Sequence, residues 1–149
     1  MEGDDTGGHV DTLVRFCNPN TLAYVQCDNP DEIHYSSLQA MEKVLKALRT
    51  LANEPYKLIP LPLPQAQYDA ANQRLPATYA NFLIINDRVL LPTYQDPADQ
   101  LAKSRLQTAF PNHQIIMIDC RPLIQQFGSL HCATMQLPAG TCRLPKHHF

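Results

Sequence analysis

Two short apolar runs, Leu13, Val14 and Phe16, then Leu22, Ala23, Tyr24 and Val25, flank the turn residues Asn18-Pro19-Asn20 and predict a β-hairpin. Leu38, Met41, Val44, Leu45, Leu48 and Leu51 then recur at helical spacing, and Ser36 with Gln39 has the spacing of a capping box. This predicts a helix ending near Asn53 and Pro55, followed by a strand over Lys57 to Leu61. The same order returns: strands over Tyr79 to Ile85 and Arg88 to Pro92 joined at Asn86-Asp87, a helix started by Asp96-Pro97 and carried by Leu101, Leu106, Ala109 and Phe110, and a strand over Gln114 to Ile118. Two strand-strand-helix-strand modules, about 12–62 and 79–118, therefore predict an α/β repeat. A further strand, 130–137, carries Cys132 at its centre.

Composition narrows the class. With 149 residues, 44% of them hydrophobic and 17% charged, the chain suits one globular domain. A formal net charge of -2 gives no basic field for nucleic acid, and no apolar run is long enough to cross a membrane. Met1 leads into acidic and glycine-rich residues rather than a secretory signal, so a cytoplasmic protein is expected. Cys17, Cys27, Cys120, Cys132 and Cys142 form no CxxC pair, which favours reduced thiols, and the prolines between Pro55 and Pro76 mark an irregular connection that is a candidate binding loop.

A thiol attacks as thiolate, so a catalytic cysteine needs assistance from elsewhere in the chain; otherwise Cys132 is a core thiol. The first eleven residues hold His9, Asp5 and Asp11 before any hydrophobic periodicity begins, either as an acidic tail or as the inside of a larger fold. On an extended strand His9 and Asp11, two apart, face one side, whereas the neighbours His131 and Cys132 face opposite sides. His131 is therefore expected to be structural. Asp5 reads as solvated, and Cys17, Cys27, Cys120 and Cys142 as core or surface thiols. Asn81 either lines the pocket or satisfies backbone groups. The two histidines in Lys146-His147-His148-Phe149 fall short of a metal site.

Gly8-His9-Val10-Asp11, Leu75-Pro76-Ala77-Thr78-Tyr79-Ala80-Asn81-Phe82, Asp96-Pro97-Ala98-Asp99 and Leu130-His131-Cys132 occur in an order that resembles the agmatine deiminase and bacterial peptidylarginine deiminase family of the guanidine-modifying pentein superfamily. The resemblance implies part of a fivefold pseudosymmetric α/β propeller. It also implies that this is the C-terminal portion of a longer fold, lacking a carboxylate that grips the guanidinium and another that orients the histidine. Cys132 is then the nucleophile, His9 the proton donor to leaving ammonia, and Asp11 a ligand of the guanidinium, with Asn81 a further candidate at the substrate. No metal or organic cofactor is implied. The chain departs from the family in carrying Phe127-Gly128-Ser129 where a triple glycine is common, and Gly7 where an acidic residue is common.

The expected reaction is hydrolysis of agmatine to N-carbamoylputrescine and ammonia, a step of putrescine biosynthesis. Peptidylarginine is the nearest alternative substrate, and a catalytically incompetent fragment is the alternative of a different class. Zinc held by His9, Asp11, His131 and Cys132 is a weaker alternative. Two modules of a ring are expected to leave apolar faces that associate with another chain or with the missing N-terminal portion.

Overall fold

The computed structural model describes residues 9–141. Asp5, Cys142 and the segment 146–149 lie outside the described residues. The first module pairs β1 (Val14–Asn18) with β2 (Thr21–Gln26) antiparallel, crosses over through α1 (Tyr35–Ala47), and adds β3 (Lys57–Pro62) parallel to β2. A small hairpin, β4 (Gln67–Tyr68) with β5 (Arg74–Leu75), gives the proline-rich connection some regular structure. The second module repeats the plan with β6 (Leu83–Ile85), β7 (Arg88–Thr93), α2 (Asp99–Ala109) and β8 (Gln114–Asp119). Each module is a three-stranded sheet in which the hairpin's second strand is central. The partial α/β propeller of repeated modules is thus present, with α2 packed across β3 and Arg105 Nη1 donating to the Pro60 carbonyl at 3.1 Å.

Local chemistry explains the element ends. Asn86 adopts φ 53°, so the β6–β7 hairpin turns tightly with Ile85 opposite Arg88. Pro60 and Pro62 are tolerated because β3 is an edge strand. One apolar core joins both modules and includes Val25, Leu61, Tyr79, Phe82, Val89, Leu91 and Leu106.

Four expectations are corrected. Helix α1 stops at Ala47 because Leu48 turns extended at ψ 151°, while Arg49 Nη1 donates to the carbonyls of Lys46, Ala47 and Leu48. Ser36 lies inside that helix, whose N-cap is His34, so no capping box forms. Likewise α2 begins at Asp99 after Ala98, although Asp96 Oδ1 still accepts from the Ala98 amide at 2.7 Å.

The third correction concerns Tyr79 to Phe82, which is buried loop rather than strand. Its backbone is satisfied by side chains and by the segment around Cys132 instead of a ladder. Tyr94 Oη pairs with both the amide and the carbonyl of Thr78, the Ala80 amide donates to Thr78 Oγ1, and Arg15 Nη1 donates to the Phe82 carbonyl. The fourth is the segment 130–137, which is no strand: a 3₁₀ turn over His131–Ala133 is followed by extended, exposed chain.

Candidate active site

Three segments meet around Cys132. Asp11 sits in a 3₁₀ turn, Val10–Thr12, rather than on a strand, and His9 is the exposed N-cap residue of that turn. The two-apart argument for His9 and Asp11 therefore does not apply, and the part assigned to His9 rests on the resemblance. Thr12 is buried and its carbonyl accepts from Thr78 Oγ1 at 2.7 Å, fastening the Asp11 turn to the buried loop that carries Asn81.

Asn81 bridges the other two segments. Its Oδ1 accepts from the His131 amide at 2.8 Å and the Cys132 amide at 3.2 Å. Its Nδ2 lies 3.1 Å from Asp11 Oδ2 and 3.3 Å from Cys132 Sγ. The Asn81 side chain is fully buried with both amide ends engaged, which places it beneath the site surface.

His131 departs from expectation. In the 3₁₀ turn, adjacent side chains need not oppose each other, and His131 Nδ1 lies 2.7 Å from Asp11 Oδ2, the oxygen that also stands 3.7 Å from Cys132 Sγ. Asp11 Oδ1 is buried and has no hydrogen-bond partner among the described residues. Burial pushes the Asp11 carboxyl upward, but hydrogen bonds and charge from His131, with Asn81 and Cys132, outweigh it and hold the group below the ordinary aspartate range.

The remaining thiols differ from Cys132. Burial pushes Cys17 and Cys120 up to about 11, and Cys27 is buried in the core, whereas Cys132 is exposed. Arg15, its guanidinium 5.3 Å from the centre of the Phe82 ring, supplies a fixed positive charge that acts on both Asp11 and Cys132. Gly128 closes against Cys132: a Cβ there would stand 3.1 Å from Cys132 Cβ. Among the described residues no three His, Cys, Asp or Glu side chains are arranged to hold a metal ion. No described helix is long and apolar enough to cross a membrane.

The sequence singles out Cys132 and Asp11, which the fold brings together, but not His131, which also meets Asp11. The signal was available only as a 3₁₀ turn hidden in an apolar run, Leu130-His131-Cys132-Ala133, that also suits a strand.

The chain is similar to several known proteins. Agmatine deiminase of Pseudomonas fluorescens is 31% identical over 93% of this chain and 42% of its own length. A solved Porphyromonas gingivalis protein, provisionally assigned as an arginine deiminase, is 56% identical with a TM-score of 0.90 over 94% of this chain and 41% of its own. The substrate-bound structure of a cysteine-to-serine variant of C. jejuni agmatine deiminase is 42% identical with a TM-score of 0.81, covering 88% of this chain and 37% of that one. The chain thus spans about two-fifths of the length of these relatives. Since the model for Porphyromonas-type peptidyl-arginine deiminases matches residues 1–138, the chain belongs to that family.

Proposed function

We propose that this chain carries the nucleophile side of a guanidine-hydrolysing site, with agmatine as substrate and N-carbamoylputrescine and ammonia as products. The observation that carries the reading is the exposed Cys132 thiol held 3.7 Å from Asp11 Oδ2. A planar guanidinium whose nitrogen hydrogen-bonds this oxygen has its central carbon within reach of the neighbouring sulfur.

The thiolate adds to the central carbon to form a tetrahedral adduct. His9 gives a proton to one amino group, which leaves as ammonia, and an amidino-thioether remains on Cys132. Water adds to the same carbon, giving one proton to His9 and the other to solvent; the C–S bond breaks, the thiolate is restored and the ureido product leaves. Every step uses side chains and water, so no cofactor is assigned.

The relatives named agmatine deiminase support agmatine, while the family model's description supports an arginine side chain as second substrate. A shallow apolar depression of about 470 Å³, lined by Val10, Val14, Phe16, Leu22, Leu45 and Leu48 beside Asp11, supports association with a further polypeptide surface that completes the site.

Ammonia release from agmatine and from an arginine-blocked peptide, with Cys132→Ala as the control, tests this reading. Release from agmatine that disappears in the variant upholds it; release from the peptide alone transfers the activity to protein arginine. A folded chain that releases no ammonia, even when supplied with the preceding part of a relative, overturns deimination.

A further inference from the structure

Only one orientation of the Asn81 amide satisfies its surroundings. Two backbone amides, of His131 and Cys132, point at one end, and since both can only donate, that end is Oδ1. Nδ2 must then face Asp11 and Cys132. Its two protons are shared among the Asp11 carbonyl at 3.3 Å, Asp11 Oδ2 at 3.1 Å and Cys132 Sγ at 3.3 Å.

We propose that Asn81 is a catalytic residue whose Nδ2 donates a hydrogen bond to the Cys132 thiolate while its Oδ1 fixes the turn that presents the sulfur. This deepens the deimination reading and rests on Cys132 being the nucleophile. The need for such a donor follows from the groups around the sulfur. Asp11 lies 3.7 Å away with its Oδ2 engaged by the His131 imidazole, and the Arg15 guanidinium is committed to the Phe82 carbonyl. Asn81 alone places an N–H directly on Sγ among the hydrogen bonds of the described residues. When the exposed thiol ionises, its proton passes to water and the Asn81 N–H turns from a weak neutral contact into a charge-assisted one.

The test reads sulfur chemistry without substrate. Iodoacetamide modifies the folded 149-residue chain across a pH series, and modification of the Cys132 peptide is followed by mass spectrometry. Asn81→Ala is expected to slow the reaction at neutral pH by about tenfold or more and to move its pH profile upward. A folded variant with the wild-type profile overturns the assignment. Because Asn81→Ala also strips two backbone amides of their acceptor, a second measurement needs no change at Asn81. In the wild-type chain the Asn81 side-chain amide resonance is expected to shift with pH at the midpoint of the alkylation profile, and in Cys132→Ala to stay still; a resonance indifferent to that midpoint overturns the proposal. Loss of ammonia release with both readouts intact removes deimination and leaves the Asn81 contact standing. Cys132-dependent release with both readouts absent removes only the contact.

Discussion

Asp11 Oδ2 and His131 Nδ1 stand 2.7 Å apart, so the imidazole next to Cys132 occupies the carboxylate oxygen that faces its sulfur. Since Oδ1 is buried, a guanidinium reaches Asp11 only by displacing or sharing with this ring. His131→Ala, made in a Cys132→Ala chain to prevent turnover, is therefore expected to bind agmatine several-fold more tightly, the scale of one net hydrogen bond of about 1 kcal/mol. Calorimetric titration measures it. Equal or weaker binding would show that the imidazole helps hold the cation rather than competing with it.

The same carboxyl makes a signed prediction for acid. Its folded value lies below the ordinary 3.8, so ionised Asp11 stabilises the fold fully above that pH and loses its contribution as pH falls through the lower folded value. Urea midpoints of wild type should decline more steeply than those of Asp11→Asn in this acid range, the two curves running parallel above pH 5. Identical slopes throughout would mean that the contacts with His131 and Asn81 add nothing to folding.

Tyr94 is buried at 1% exposure, and its hydroxyl meets Thr78 on one side and Ser129 Oγ at 2.8 Å on the other. It ties the Asn81 loop to the segment entering Cys132. Tyr94→Phe keeps the ring but strands these polar groups, which costs about 1–3 kcal/mol in urea unfolding. Cys132 alkylation should also become less uniform, since both loops lose a shared anchor. Unchanged stability would indicate that water replaces the hydroxyl.

What could be read from sequence follows from where backbone hydrogen bonds go. β2, β3, β7 and β8 are legible because apolar runs pair in ladders, and Asn86 announces its turn. The buried Tyr79 to Phe82 loop is equally apolar, yet its backbone bonds go to the neighbouring Thr78 hydroxyl, to the distant Arg15 side chain and to the His131 amide, choices that no local period encodes. The site divides in the same way. Cys132 and Asp11 are marked by motif, whereas the part of His131 depends on a 3₁₀ turn held by Asn81 Oδ1, fifty residues earlier in the chain.

Gly128→Ala tests how closely the chain must pass Cys132. The added methyl would approach Cys132 Cβ at 3.1 Å, tighter than ordinary contact, but Cys132 lies on an exposed turn that can yield by a few tenths of an ångström. Stability should therefore change by no more than about 1 kcal/mol, well below a core clash, while alkylation of Cys132 slows as Sγ moves from Asn81 Nδ2. Stability loss beyond about 3 kcal/mol with unaltered alkylation would place the strain in the backbone instead.

The apolar surface of the first module makes the final prediction. Phe16 on the β1 edge is 59% exposed, Val44 on α1 59%, and Leu48 just beyond the end of α1 43%. Among the described residues β1 pairs only with β2, so its outer edge offers backbone groups beside Phe16. The 149-residue chain on its own should therefore self-associate as concentration rises, detected by light scattering after size exclusion. Because Phe16 and Val44 are already half in water, Phe16→Lys with Val44→Lys removes little packing; it should restore a monomer while changing unfolding stability by less than about 1 kcal/mol. A wild-type chain that stays monomeric at high concentration would show that this surface needs no cover.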